Sequence, residues 1–460
     1  MTFLGRLAGT HVLVTGAGVT GPPVAKALLV AGAVVTVTDA NTERLRAIAE
    51  TLPGLRVAHD LKRPPSDTAL VVTAPGWRPD SPVLAAATDV GIEVIGDVEL
   101  AWRICADMDT PPQWLAVTGT NGKTTTVAML AAILGAAGVN AVACGNIGLP
   151  VVEAVAGGYP VLAVELSSFQ LHWAPSVRPA AGALLNIAED HLDWHGDMAA
   201  YAAAKARILT GDVAIGGVDD KTAATLLAES PAARKIGLRL GEPGPGELGV
   251  SGGKLVDRAF AHGEVLADVA DIRPAGPPGV LDALAAAALA RCHGVPAGAV
   301  AAGLRAFEPA AHRAASVAEV DGVRYVDDSK ATNPHAAAAS IAAHERVVWI
   351  AGGLLKGASV DDLVTAAADR LAGVVLIGQD ADVMAAALAR HAPDVPVRRL
   401  SGGDDDGMSV MSRAVLAARA MARPGDVVLL APAAASMDMF TDYRQRGRAF
   451  AAAVLSLESG

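Results

Sequence analysis

The stretch Trp114–Thr126 reads W-L-A-V-T-G-T-N-G-K-T-T-T and combines an apolar run, a glycine turn and a helix start. The four apolar residues at its beginning predict a buried strand. The turn Gly119–Gly122 follows, and Lys123 opens a helical run rich in alanine and leucine. Backbone N–H groups at such a turn and the positive end of the helix dipole point at one spot, which suits an anion. The stretch therefore predicts a phosphate-binding loop.

The residues after the turn match phosphate chemistry. Lys123 supplies a mobile positive charge for a terminal phosphate, and a threonine hydroxyl is suited to reach a magnesium ion. The strict pattern G-x-x-x-x-G-K-[ST] requires glycine where this chain has Val117, so a glycine turn that only starts a helix is the alternative. The order of strand, turn, lysine and threonine favours a nucleoside triphosphate enzyme. The predicted ATP-binding residues of the loop are Gly119, Thr120, Asn121, Gly122, Lys123, Thr124 and Thr125.

Composition narrows the class of protein. A chain of 460 residues is enough for two to four domains, and a net charge of −11 argues against a general nucleic-acid binder. Cys105, Cys144 and Cys292 are too few and too scattered for a disulfide framework or a thiolate zinc site, which fits a reducing cytosol. The N-terminus lacks a long apolar stretch, so no secretory signal is predicted.

Residues 124–152 carry no charge, and this length would be sufficient to span a bilayer. Glycines, asparagines and Pro150 interrupt the segment. We therefore expect a buried helix to about Ala137, then a short strand near 139–143, without stable membrane insertion.

Residues 1–112 form the first predicted domain. It opens with H-V-L-V-T-G-A-G-V-T-G (11–21), where a strand meets three glycines, and the next strand ends at Asp39. Glycines allow a tight turn and close approach to a phosphate, and an acid at the next strand end is suited to a ribose hydroxyl. The pattern predicts a nucleotide-binding βαβ unit. It leaves open whether NAD binds there or whether the turn is Rossmann-like without a dinucleotide.

Residues 113–310 form the second predicted domain, which contains the phosphate loop. Glu165 ends an apolar strand, where a carboxylate is costly unless it is paired or bound to a metal. A magnesium site and a hydrogen-bonded structural glutamate are the two interpretations. Asp190, His191, Asp193 and His195 crowd one loop, which suggests metal or phosphate handling. Lys205 lies among alanines on a predicted helix, either as a surface charge or as a desolvated group beside a metal.

Residues 311–460 form the third predicted domain. Strands there alternate with helices and end in polar residues, including Asp328 and Ser436, while a glycine turn carries Lys356. Such alternation predicts a doubly wound sheet with polar groups at the strand ends. The predicted fold class is α/β with three domains. A Rossmann-like domain comes first, a central phosphate-loop ATPase-type domain with a mixed or parallel sheet follows, and a Rossmann-like domain ends the chain.

Seven motifs, in order through the second and third segments, resemble those of the Mur ligase family, and the resemblance extends to the first segment. They are G-T-N-G-K-T-T (119–125), E-L-S-S-F-Q (165–170), N-I-A-E-D-H-L-D-W-H-G (186–196), Y-A-A-A-K (201–205), H-R (312–313), D-S-K-A-T-N (328–333) and L-L-A-P-A-A-A-S-M-D-M-F-T-D-Y-R-Q-R-G-R-A-F (429–450). The last two most resemble the branch of the family that adds D-glutamate. The resemblance implies a cytoplasmic, ATP-dependent amide ligase of peptidoglycan precursor synthesis that uses two magnesium ions. It also implies that the first domain holds the UDP of a substrate, not NAD.

The resemblance assigns a role to each matching residue. It implies a monomer that joins D-glutamate to UDP-N-acetylmuramoyl-L-alanine through an acyl phosphate and a tetrahedral intermediate. Implied catalytic residues are Lys123, Glu165, His191, Lys205 and Lys330, with Lys205 carbamylated. Implied magnesium ligands are Thr124, Glu165, His191 and Lys205. Further ATP contacts are Asp282, Arg313 and Asp328. The UDP-sugar would contact Val19, Thr20, Asp39, Gly76, Asn146 and His191. D-Glutamate would contact Thr332, Lys356, Ser436 and Tyr443.

Some positions depart from the family pattern. Pro278, Gly279 and Asp282 stand where the family often has His-Asn-x-x-Asn, so Asp282 replaces an amide at the adenine. Three other functions remain as alternatives: a sibling ligase for another amino acid, such as a folate polyglutamylating enzyme, an NAD-dependent oxidoreductase, and a non-catalytic nucleotide switch. The oxidoreductase hypothesis gives Lys123, Glu165 and Lys205 no role. The nucleotide-switch hypothesis gives the lysines of the third segment no role.

Overall fold

The computed structural model describes residues 2–400 and 407–457 as an α/β chain with three separate sheets. The predicted fold class is confirmed. The chain divides into two compact units. The first holds the described residues up to Ile187 with His191–Asp271 and Leu281–Phe307, and the second holds Ala188–Asp190, Ile272–Val280 and the described residues from Glu308 on. The first predicted domain and most of the second thus share one unit, and the boundaries 1–112, 113–310 and 311–460 stay predictions.

The first sheet has five parallel strands in the order β3-β2-β1-β4-β5. Its elements are α1 (Phe3–Leu7), β1 (His11–Thr15), α2 (Gly21–Val30), β2 (Val34–Asp39), α3 (Thr42–Thr51), β3 (Arg56–His59), β4 (Thr68–Thr73), α4 (Pro82–Asp89), β5 (Glu93–Gly96) and α5 (Asp97–Cys105). Helix α2 begins at the third glycine of the predicted turn, and two prolines occupy its first turn, where a missing N–H costs nothing. The strand order reverses between β1 and β4, which is where such sheets bind ligands.

The second sheet has nine strands in the order β14-β13-β12-β11-β10-β9-β6-β8-β7. Its elements are β6 (Gln113–Thr118), α6 (Lys123–Ala136), β7 (Ala141–Gly145), α7 (Val151–Ala156), β8 (Val161–Glu165), α8 (Ser168–His172), β9 (Ala181–Leu184), α9 (Leu192–His195), α10 (Met198–Ala206), β10 (Val213–Gly217), α11 (Lys221–Glu229), β11 (Arg234–Leu238), β12 (Glu247–Ser251), β13 (Lys254–Asp257), β14 (Glu264–Asp268), α12 (Pro277–Cys292) and α13 (Ala297–Ala306). The sheet is parallel from β7 to β12 and antiparallel at β13 and β14.

The uncharged stretch folds as expected, with a helix that ends at Ala136 and a strand that begins at Ala141, two residues after the predicted start. Among the residues that the structure describes, no helix has both the length and the apolar character needed to cross a membrane.

Strand β6 lies between β8 and β9, and this position explains its apolar sequence. The side chains of residues 114–117 are at most 1% exposed, so the strand is buried on both faces, as parallel strands covered by helices usually are. One hydrophobic cluster continues from the first sheet through α5 and α7 to this strand, and Trp102 packs edge-to-face on Trp114 at 5.2 Å. The central strand therefore holds the phosphate loop on a rigid base.

The third sheet has six strands in the order β15-β16-β20-β17-β18-β19, with β15 antiparallel. Its elements are β15 (Ala315–Val320), β16 (Val323–Asp327), α14 (Pro334–Ala342), β17 (Val347–Gly352), α15 (Asp361–Ala367), β18 (Leu371–Ile377), α16 (Ala381–His391), β19 (Val397–Arg399), α17 (Gly407–Met421), β20 (Val427–Leu430) and α18 (Tyr443–Leu455). Separate hydrophobic cores cover its two faces. Because β20 lies between β16 and β17, the three loops that carry the predicted D-glutamate residues begin at neighbouring strand ends.

Candidate active site

The phosphate loop is held by a residue that follows the neighbouring strand β9. The carbonyl oxygen of Asn186 accepts from Thr120 N at 3.0 Å, and its side-chain Oδ1 accepts from Asn121 N at 2.9 Å. Asn186 Nδ2 donates back to the Asn121 carbonyl oxygen at 3.3 Å. The sequence motif included Asn186, but nothing in the motif predicted that its side chain would hold the loop.

Gly122 cannot be replaced by another residue without strain. Its φ of 90° lies in the left-handed region, and a Cβ there would meet Asp282 Oδ1 at 2.2 Å. Asp282 is 4% exposed and accepts from Thr126 Oγ1 at 3.2 Å. Asp282 therefore packs against the loop and the first turn of α6, and its role at the adenine stays a prediction.

Two lysines converge on one carbonyl oxygen of the loop. Lys123 Nζ donates to Gly119 O at 2.8 Å and to Thr120 O at 2.9 Å. Lys205 Nζ donates to the same Gly119 oxygen at 2.8 Å and lies 4.8 Å from the centre of the Tyr201 ring. Lys205 is 2% exposed, so the interpretation as a surface charge is wrong. Two ammonium groups this close together create a site that favours polyanions.

Glu165 lies beside the loop with one carboxylate oxygen unsatisfied. It ends β8, pairs in register with Val117, and is 1% exposed. Its Oε1 accepts from Asn146 Nδ2 at 2.9 Å, whereas the buried Oε2 has no hydrogen-bond partner among the described residues. A buried carboxylate oxygen without a donor is costly, and a cation would remove the cost.

The donor set around Glu165 fits magnesium better than a transition metal. Among residues 2–400 and 407–457, no cluster of three or more His, Cys, Asp or Glu side chains could hold a metal. Magnesium is usually held by one or two carboxylates together with water and substrate phosphates, so it needs no cage made only of protein. Thr124, half-buried in the first turn of α6, supplies a hydroxyl near the loop.

An aromatic cluster surrounds the predicted histidines. His191 precedes α9 with a φ of 55°, and its ring packs on Phe169 with centroids 4.7 Å apart. Burial, followed by nearby positive groups, lowers the pKa of His195 to about 4, so its ring is neutral at pH 7. His195 Nε2 contacts Ser168 Oγ at 2.9 Å. The rings of His195 and His191 thus both pack on Phe169.

The first sheet presents its predicted substrate residues at the ends of β1 and β4. Val19 is 78% exposed, Thr20 is half-buried and Gly76 is exposed. Asp39 differs, because its two carboxylate oxygens accept from Ala17 N at 2.7 Å and Asn41 N at 2.8 Å. Asp39 thereby fixes the glycine turn, and its predicted contact with the UDP-sugar stays a prediction.

The third sheet brings several predicted residues to one edge. Lys330 Nζ lies 4.2 Å from the centre of the Tyr443 ring, and Thr332 N donates to the Lys330 carbonyl oxygen at 2.8 Å. Ser436 is 4% exposed and its carbonyl oxygen accepts from two amides that follow it. Lys356 is exposed and has a φ of 53°.

Asp328 and Arg313 belong to the second compact unit, which also contains the third sheet. Burial raises the pKa of Asp328 to about 6, and the positive charge of Arg313 acts in the opposite direction. Both residues stay predicted ATP contacts.

Two further polar groups of this edge were missed by the sequence reasoning. Arg446 is 1% exposed and donates to Ser329 Oγ at 3.0 Å, Ser329 O at 2.9 Å and Ala434 O at 3.1 Å. Burial lowers its pKa to about 10, so it stays charged at pH 7 and ties the end of β16 to the end of β20. His312 Nδ1 meets Asp327 Oδ2 at 2.6 Å. Arg446 is one of three arginines in the last motif, and only its burial distinguishes it from the other two.

The fold and the site define an α/β enzyme with a phosphate loop, a buried carboxylate and two convergent lysines. The chain belongs to the Mur ligase family. The model of the Mur ligase middle domain matches residues 117–241, and that of the Mur ligase glutamate ligase domain matches residues 312–434.

Similar proteins cover nearly the whole chain. A UDP-N-acetylmuramoylalanine–D-glutamate ligase of Rhodococcus jostii (strain RHA1) is 56% identical over 98% of this chain and 96% of its own length. One from Mycolicibacterium smegmatis is 55% identical over 97% of this chain and 96% of its own length. The structure of UDP-N-acetylmuramate-alanine ligase from Thermotoga maritima is similar with a TM-score of 0.57 at 18% identity, and covers 98% of this chain and 99% of that one. This structural likeness concerns the fold alone.

Proposed function

We propose that this chain is the ATP-dependent ligase that joins D-glutamate to UDP-N-acetylmuramoyl-L-alanine and releases ADP and phosphate. The proposal is carried by Lys123 on the Gly119 and Thr120 carbonyl oxygens of the phosphate loop, with the buried Glu165 carboxylate at the end of the neighbouring strand β8. The relatives at 55–56% identity carry the name of this activity. We further propose that the enzyme is monomeric and acts in the cytoplasm.

Each predicted domain receives one substrate in this proposal. Residues 1–112 bind the UDP-sugar, residues 113–310 bind ATP, and residues 311–460 bind D-glutamate. The outer limits of the first and last ranges lie outside the described residues. The exposed Val19 and Gly76 at the switch point of the first sheet support the first assignment.

Magnesium fits the residues beside the loop. Thr124, Glu165 and His191 would hold it, and carbamylated Lys205 would add a ligand. When bound, it supplies positive charge that reduces the repulsion between the phosphates and the substrate carboxylate.

The residues of the chain then perform the positioning. Lys123 holds the terminal phosphate of ATP while the lactoyl-alanine carboxylate attacks it, which gives an acyl phosphate and ADP. The amine of D-glutamate attacks the acyl carbon, and the tetrahedral intermediate collapses with loss of phosphate. Lys356 pairs with a carboxylate of D-glutamate, and Lys330 is proposed as a further catalytic residue. Charges fixed before the reaction avoid the cost of reorganising solvent.

The test of the function is phosphate release from ATP with UDP-N-acetylmuramoyl-L-alanine and with D-glutamate, L-glutamate or no amino acid. We expect release only with D-glutamate. Release with another amino acid would move the chain to a sibling activity within the family. If no condition released phosphate, the ligase would be refuted and a nicotinamide assay would follow.

Lys205→Ala is expected to be nearly inactive, because it removes the amine that the proposal carbamylates. Formate, acetate or propionate should restore part of the activity by supplying a carboxylate in the vacated space. The measurement is phosphate release against acid concentration. Lys205→Arg is the matched control, since it forms no carbamate, leaves no vacated space for an acid and should not respond to the acids. If Lys205→Ala keeps full activity, or if no acid restores any of it, the carbamate is wrong.

Lys356→Ala should raise the KM for D-glutamate about 10–100-fold, because a hydrogen bond to a charged group is lost. The KM for ATP should change less than about 3-fold, and Lys356→Arg should recover part of the affinity. Steady-state kinetics with each substrate varied in turn would measure this. Equal increases for both substrates would contradict a role at D-glutamate.

A further inference from the structure

Two indole groups of the central segment hydrogen-bond to successive carbonyls of the first segment. Trp194 Nε1 donates to Gly76 O at 3.3 Å, and Trp173 Nε1 donates to Trp77 O at 3.4 Å. The acceptors lie in the 74–80 loop, which follows β4 at the ligand-binding edge of the first sheet. All four residues belong to the first compact unit.

A side chain of the 74–80 loop also donates a hydrogen bond back to the central segment. The Arg78 guanidinium donates to the carbonyl oxygen of Asp193 and pairs with Asp80 at 3.0 Å. Asp193 and Trp194 are adjacent residues of α9. The short helix α9 therefore both gives and accepts a hydrogen bond with this one loop.

Trp194 and His191 pack against the same aromatic ring. The Trp194 ring packs on Phe169 with centroids 4.9 Å apart, and the His191 ring packs on the same Phe169 at 4.7 Å. Only two residues separate Trp194 from His191, whose left-handed backbone starts α9. A displacement of the indole would therefore move His191.

We infer that Trp194 is a positioning residue that fixes the 74–80 loop relative to His191. The 74–80 loop carries Gly76, a residue of the proposed UDP-sugar site, and His191 lies at the proposed metal and phosphate site. Trp194 thus sets how far the bound UDP-sugar lies from the phosphate loop. This inference rests on the proposed function.

Trp173 donates to the same 74–80 loop but differs from Trp194 in its ring packing and in lying outside α9. Its carbonyl oxygen accepts from Gly96 N at 2.9 Å, and its ring packs against the core on the other face of the first sheet. Trp173 therefore joins the first sheet to the central segment without being part of α9. It is the matched control for the loss of an indole N–H.

The experiment compares Trp194→Phe, Trp173→Phe and wild type, after the wild type has released phosphate only with both substrates. Trp194→Phe keeps the aromatic packing and loses the donor. We expect the KM for UDP-N-acetylmuramoyl-L-alanine to rise about 3–10-fold, the effect of one neutral hydrogen bond, with the KM for ATP unchanged. Trp173→Phe should leave both KM values within about 2-fold.

A second variant keeps the inference testable if Trp194→Phe folds poorly. Arg78 is exposed, so Arg78→Ala should fold normally and raise the same KM, because it removes the donor to Asp193. Thermal melting identifies a folding defect. Unchanged KM values in both Trp194→Phe and Arg78→Ala, or equal increases in Trp194→Phe and Trp173→Phe, would overturn the inference. A wild type without phosphate release would instead refute the proposed function.

Discussion

Lys123→Ala should reduce ATP-dependent ligation by about 10²–10³-fold while the protein stays folded. The Lys123 ammonium lies across the phosphate loop on two carbonyl oxygens at 2.8 and 2.9 Å, where a terminal phosphate can take its place as a stronger partner. Lys205 keeps its own hydrogen bond to Gly119 in the variant, so this loop carbonyl keeps a donor and the loop keeps its shape. The loss should therefore appear in turnover and ATP binding and not in the melting temperature.

The measurement is phosphate release at saturating UDP-sugar and D-glutamate, together with thermal melting. Lys221→Ala is the matched control, because Lys221 is an exposed lysine at the start of α11 in the same unit. It should keep wild-type turnover. Normal turnover of Lys123→Ala would refute the phosphate-loop assignment.

Glu165→Gln is expected to lower turnover by about 10²–10³-fold with little change in fold. The substitution keeps the shape and the acceptor for Asn146, but it removes the charge from the buried Oε2 that has no partner in the described part of the chain. If that oxygen binds magnesium, wild type should melt at a higher temperature with Mg²⁺ and ATP than with ATP alone. A ligand that binds only the native state stabilises it by mass action.

The magnesium-dependent rise in melting temperature should disappear in Glu165→Gln. Glu153→Gln is the control, because Glu153 is exposed on α7, and it should keep both activity and the magnesium effect. If Glu165→Gln keeps the full magnesium-dependent rise in melting temperature, Glu165 is a hydrogen-bonded structural glutamate, which is the other interpretation of its sequence.

Local patterns were sufficient to predict the elements around the phosphate loop. Strand β6, the glycine turn and helix α6 arise from consecutive residues, and each is specified by short-range physics: apolar side chains, left-handed glycine and a helix former after the turn. Glu165 could be singled out for a similar reason. A carboxylate in an apolar strand is costly to bury wherever the strand lies in the sheet, so the residue needs a partner or a metal.

Contacts between distant parts of the chain could not be predicted in this way. The place of Asp39 at a strand end predicts a contact with the UDP-sugar, which stays a prediction, but it does not predict that the Asp39 oxygens accept from Ala17 and Asn41. The conformation of the adjacent turn decides whether a carboxylate at a strand end faces a ligand or a neighbouring amide. The spacing of residues along the sequence does not specify that conformation.

The sequence by itself determined the α/β class and predicted the phosphate loop with Lys123, because charge, glycine and apolar periodicity act over a few residues; it left two interpretations each for Glu165 and Lys205. Only the tertiary structure placed Asn186 on Asn121, 65 residues away, Lys205 on Gly119, 86 residues away, and Arg446 on Ser329, 117 residues away. These contacts depend on strand order, since a strand end meets whichever strand pairs beside it. The order β9-β6-β8 and the insertion of β20 between β16 and β17 are set by the packing of whole sheets, and no local pattern contains that information.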